Sequence, residues 1–132
     1  MQRLARVSTS SHSAPAAVVD RSTGAAVKVL HVLIADANVR TLTTRAEQLN
    51  AAGLRVSVAR TSFEAIVKAT CHVPDVILLD GSLDSAADGI KAAETLQMLT
   101  ICPMTSHIPI YRLTPGRRVP QRILAATRRR PS

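Results

Sequence analysis

The sequence predicts an α/β fold built on a parallel sheet, and three observations carry that expectation. Residues 29–35 and 76–79 are short, almost wholly apolar runs rich in Val, Ile and Leu, as strands buried on both faces are. Segments with helical spacing alternate with the strand-like runs, which is the order of βαβ units. Both apolar runs end in an aspartate, Asp36 and Asp80. In parallel sheets the chemistry sits beyond the carboxyl ends of the strands, so two acids delivered to one rim are the main functional signal in this sequence.

The first strand reads VLHVLIA and stops at Asp36. His31 falls inside it and is expected to be a satisfied core or edge histidine rather than a ligand. From Asn38 the period becomes helical. Val39, Leu42, Ala46 and Leu49 form one stripe, and Gly53 ends it. Residues 54–59 alternate as a strand. Thr61-Ser62-Phe63-Glu64 fits a capping box that opens a second helix through about residue 71, and Pro74 breaks it. Residues 76–79 form the second buried strand. A loop containing Gly81, Ser82, Asp84 and Asp88 leads to a third helix over about 89–99, with Ile90, Ala93 and Leu96 or Leu99 inward. After a turn at 103–107, residues 108–113 form a fourth strand closing at Thr114-Pro115-Gly116. Residues 119–127 form a short fourth helix.

The 132 residues suffice for one domain with short tails. Aromatic side chains are confined to Phe63 and Tyr111, so Val, Ile, Leu and Ala must build the core. The net charge of +8 is unevenly placed. Residues 28–114 hold eight basic and eight acidic side chains, whereas residues 115–132 hold six arginines and no acid. The expected organisation is a disordered tail over 1–27, a folded domain over 28–127 and a basic tail over 128–132. No apolar run approaches the roughly 20 residues of a membrane helix, and no secretory signal is visible, so a cytoplasmic protein is expected. Cys71 and Cys102 are read as reduced, buried thiols acting as small apolar residues. No metal-ligand spacing is present.

Five segments, in order, resemble the response-regulator receiver domain of bacterial two-component signalling. They are VLIADAN (32–38), TSFEAI (61–66), PDVILLD (74–80), DGI (88–90) and HIPIYRLT (107–114). The resemblance covers about residues 28–127. It implies the flavodoxin-like fold with strand order 2-1-3-4-5, here lacking the fifth strand and fifth helix. It implies a phosphoacceptor at Asp80 and a Mg²⁺ site formed by Asp36, Asp80 and the backbone carbonyl of Ser82. Thr114 is the matching switch hydroxyl. The implied partners are a sensor histidine kinase or phosphotransfer protein and an unknown downstream protein. No catalytic residue and no enzymatic activity of its own are implied.

The chain also departs from that pattern. Ala37 stands where the family has its second acid, so Mg²⁺ binding is expected to be weak or absent. No lysine follows Lys91, so the family's phosphate-binding lysine is missing. Loss of one preorganised charge-stabilising group raises a barrier by roughly 3–4 kcal/mol, and impaired phosphotransfer is expected. The first reading is a stand-alone phosphorelay receiver with Asp80 as a weakened acceptor. The second is a phosphorylation-independent pseudo-receiver that acts as a protein-interaction module. A third, nucleic-acid binding through the arginine-rich C-terminus, is disfavoured because no aromatic residues interleave with the arginines. Without a fifth strand the fourth is an open edge, which points to a homodimer or a marginally stable monomer.

Overall fold

The computed structural model describes residues 17–19 and 26–128. Its centre is a parallel sheet of four strands, β3 (His31–Ala35), β4 (Arg55–Ala59), β5 (Val76–Asp80) and β6 (Ile110–Leu113), in the order β4-β3-β5-β6. That is the expected 2-1-3-4 arrangement. Every residue of β3 and β5 is buried, as central strands covered on both faces require. The two outer strands are only partly buried. Among the described residues no strand pairs with the outer side of β6. Within the stretch read as a tail, β1 (Ala17–Val19) and β2 (Ala26–Lys28) pair antiparallel. The remainder of residues 1–25, and residues 129–132 of the expected basic tail, lie outside the described residues.

Strand side chains alternate between faces, and two cores result. Val32, Ile34, Val76 and Leu78 point to one side, where they meet Leu42 and Leu49 of α1 (Val39–Ala51) and Ile123 and Leu124 of α4 (Gln121–Arg128). Leu33, Ala35, Ile77 and Leu79 point to the other. There they meet Ala65 and Ala69 of α2 (Ser62–His72) and Ala92 and Leu99 of α3 (Ala92–Ile101). Small alanines on α2 let that helix approach the sheet without aromatic filler.

Local chemistry sets the helix ends. Asn38 caps α1 by accepting from the N–H groups of Arg40 and Thr41. Thr61 caps α2 by accepting from the Glu64 N–H, while the Glu64 carboxylate accepts from Arg60. The expected stripe of α1 is corrected: Leu42, Arg45 and Leu49 are buried, whereas Val39 is exposed and Ala46 only partly covered. The third helix starts at Ala92, not residue 89. Gly89 takes a left-handed φ of 71°, and Asp84 caps the helix by accepting from the Ala92 N–H. Its buried face is Ala92, Thr95 and Leu99, not Ile90 and Ala93. The cysteines are also corrected. Cys71 is exposed and Cys102 half-buried, because neither lies on the inward stripe of its helix end.

At the opposite rim from the aspartates, His31 is buried. Its Nε2 lies 2.6 Å from the Ser57 hydroxyl, and its N–H donates to Asp75. Burial holds the imidazole below the usual histidine range; the Arg55 and His72 charges add to this and Asp75 opposes it. A histidine depressed by folding takes up its proton more readily when the chain unfolds. Its contribution is therefore intact above the unfolded pKa of about 6.5 and is lost as pH falls below it. Urea melts should show stability declining between about pH 7 and pH 5, with a shallower decline in His31→Gln. Identical slopes in the two proteins would remove His31 as the cause.

Candidate functional site

The site follows from the pleat. Residues 32, 34 and 36 share one face, as do 76, 78 and 80, so Asp36 and Asp80 emerge on the α1 side of the sheet. On α1, the buried position between Leu42 and Leu49 is Arg45. Its guanidinium reaches both acids. Nη1 donates to Asp36 Oδ2 at 3.0 Å and to Asp80 Oδ1 at 2.5 Å. All three side chains are at most 1 % exposed.

The remaining donors of Arg45 hold the segment that follows β6. Nη2 donates to the Thr114 carbonyl and Nε to the Arg117 carbonyl, each at 2.7 Å. Gln48, one turn along, both donates to and accepts from the Val119 backbone. The carboxylates are equally engaged. Asp36 Oδ1 accepts from the Asn38 N–H and the Ser82 hydroxyl, and Oδ2 accepts from the Thr41 hydroxyl as well as Arg45. Asp80 Oδ2 accepts from the Ser82 N–H at 2.7 Å. The Ser82 hydroxyl also accepts from the Ala37 N–H. A buried ion cluster is tolerated only with such dense hydrogen bonding.

The structure thus brings Asp36, Asp80 and Ser82 together. Ser82 enters through its N–H and hydroxyl, and Thr114 through its carbonyl; Thr114 itself is exposed. Arg45 is the residue that sequence reasoning missed. A signal was available, since Leu42, Arg45 and Leu49 are spaced i, i+3, i+7 on one helix face.

These residues, as placed, do not fit Mg²⁺. The ion requires near-octahedral oxygens at about 2.0–2.1 Å. Here a guanidinium nitrogen stands between the two carboxylates, and Ala37 offers only a methyl group. Among the described residues no group of three or more His, Cys, Asp or Glu side chains is placed to hold a metal ion. Nor is any helix among them long and apolar enough to cross a membrane.

No protein-family profile and no curated protein sequence matches the chain. Solved structures do. The chain is 23 % identical to the N-terminal domain of a response regulator receiver protein from Methanoculleus marisnigri JR1, covering 71 % of this chain and 73 % of that one with a TM-score of 0.60. It is 23 % identical to the chemotaxis response regulator CheY4 of Vibrio cholerae, over 72 % and 75 %, with the same TM-score. It is 28 % identical to the signal receiver domain of a modulated diguanylate cyclase from Desulfovibrio desulfuricans G20, over 78 % of each chain, with a TM-score of 0.53. The chain therefore has the fold of a response-regulator receiver domain, with fewer elements among the described residues.

Replacing Arg45 should expose how the cluster is balanced. Arg45→Met leaves two buried carboxylates without their cation and should lower unfolding stability by roughly 3–5 kcal/mol. Adding Asp36→Asn and Asp80→Asn should restore much of that loss. Denaturant melts showing Arg45→Met within about 1 kcal/mol of wild type would mean that the guanidinium does not hold the carboxylates.

Proposed function

We propose that this chain is a receiver-fold signalling module that binds a protein partner without being phosphorylated at Asp80. The observation that carries this reading is the Arg45 guanidinium seated between Asp36 and Asp80. A carboxylate that attacks a phosphoryl group needs an oxygen with a free lone pair facing the donor. Asp80 has Oδ1 on Arg45 and Oδ2 on the Ser82 N–H, and at 1 % exposure the lone pairs that remain on these oxygens face the interior rather than an approaching donor. A phosphoryl group at Asp80 would also bring further negative charge into a pocket where Ala37 supplies no metal ligand and no downstream lysine supplies a cation. Exposed apolar side chains on the packed α2–α3 layer, Phe63 and Val67 on one helix and Met98 and Ile101 on the other, are of the kind a partner protein buries.

The convergence of the two acids favours a second reading, a phosphorelay receiver with Asp80 as acceptor. A sensor histidine kinase or phosphotransfer protein would be its donor. That reading requires Arg45 to withdraw from both carboxylates and from the Thr114 and Arg117 carbonyls. Intact-mass spectrometry after incubation with acetyl phosphate and Mg²⁺ separates the two. The first reading expects no added phosphoryl group at any Mg²⁺ concentration. It also expects Asp80→Asn to leave signalling output unchanged. Labelling of wild type that disappears in Asp80→Asn would overturn it and establish the second.

A further inference from the structure

Beside the aspartate cluster, and sharing Thr41 and Arg45 with it, lies a cavity of about 160 Å³ whose lining also includes Arg40, Thr44, Gly116, Arg117 and Arg118. No acidic residue lines it. Arg45 forms ion pairs with the buried aspartates, but Arg40, Arg117 and Arg118 pair with no carboxylate among the described residues and are exposed. Four positive charges at the cavity thus face two buried negative ones behind it, which leaves a local excess of positive charge.

The walls are built rather than incidental. One is α1, which carries Arg40, Thr41, Thr44 and Arg45. The other is the segment after β6, which Gly116 turns back towards α1 with a left-handed φ of 78°. Arg45 and Gln48 fasten that segment to α1 at the backbone of residues 114, 117 and 119. Arg117 and Arg118 are thus carried on fixed backbone across the cavity from Arg40. The two threonine hydroxyls already donate inward, Thr41 to Asp36 and Thr44 to the Arg40 carbonyl, so recognition falls to the arginines.

We infer that this cavity is a binding site for the terminal phosphate of a small molecule. Planar guanidinium forks match phosphate oxygens in bidentate pairs. The volume is close to that of a cavity of about 150 Å³ that holds one benzene molecule. It therefore takes a phosphate with a small part of the group bearing it. A concave site with several cations prefers a terminal phosphate, which carries about two charges and three free oxygens. An internal phosphodiester carries one charge and lies along a chain that does not enter a cavity of this size.

Isothermal titration of the full chain with inorganic phosphate, ADP and an oligonucleotide lacking terminal phosphates, at about 0.15 M salt, tests this. ADP should bind saturably and inorganic phosphate more weakly, because it lacks the attached group. ADP and phosphate binding equally would still support the site and would make free phosphate its ligand. Arg40→Gln and Arg118→Gln should each weaken ADP binding by about tenfold, that is about 1.4 kcal/mol. Arg60→Gln, which removes one exposed charge elsewhere, should change it by less than about twofold. Three results would overturn the inference. They are no saturable binding of either small ligand, an equal loss in Arg60→Gln, and an oligonucleotide that binds more tightly than ADP. Circular dichroism of each variant guards against loss of fold, which exposed positions are not expected to cause.

Discussion

A guanidinium removed from water must be surrounded by acceptors, and at Arg45 these acceptors come from several separate segments of the chain. Asp36 follows β3, Asp80 ends β5, and the Thr114 and Arg117 carbonyls belong to the segment beyond β6. Each was brought to the same point by an independent rule. The parity of the pleat aims the two acids at α1, and the helical repeat aims Arg45 at the sheet. The left-handed turn at Gly116 then returns the chain over α1. Replacing such a cluster by well-packed apolar residues is often neutral or stabilising, so its role is better described as specification. A sheet shifted by one residue would bury the same charges against Leu or Ile with nothing to receive them.

The same constraint explains how the C-terminal part of the chain is covered. β6 is an edge strand, and no fifth strand lies beside it among the described residues. Val119, Ile123 and Leu124 nevertheless complete the core on the α1 side. The connection that brings α4 there is fastened through Arg45 and Gln48, which follow one another on one side of α1. The polar cluster and the apolar layer above it are therefore one structural unit, although one reads as a site and the other as core.

Much of the fold was legible in the sequence, because β3 and β5 are almost wholly apolar and each runs into an aspartate, Asp36 just after β3 and Asp80 as the last residue of β5. A buried parallel strand has few other signatures, and the strand order followed from the resemblance those segments carry. The boundaries were less legible where side chains rather than periodicity decide them. The third helix starts late because Asp84 reaches forward to cap Ala92, a contact across eight residues that no local pattern encodes. The site was half legible. Asp36 and Asp80 were legible, whereas the cation that the resemblance implies for them is Mg²⁺ and not a side chain of the protein. Ala46 was placed on the inward stripe of α1, one position from the arginine that occupies it. Two acids converging on a buried rim, with an arginine at i+3 between two leucines of the facing helix, is a pattern that could have named all three residues together.

The charge balance of the pocket gives the departures from the receiver pattern a common sense. The resemblance implies three carboxylates, an acidic pair and the acceptor, around one divalent ion, which leaves a single net negative charge. Here Ala37 removes one carboxylate, and the cation is the singly charged Arg45. Two carboxylates with one guanidinium leave the same residual charge, and the surrounding N–H and hydroxyl donors absorb it. What differs is the tether. A metal ion exchanges with solution, so a pocket that uses one can be emptied, filled and recharged. A guanidinium on the buried face of α1 has no such freedom, because withdrawing it would break its contacts to residues 36, 80, 114 and 117 together. Emptying the pocket of its cation is therefore coupled to releasing the segment beyond β6 from α1, a coupling that a bound metal ion would not impose.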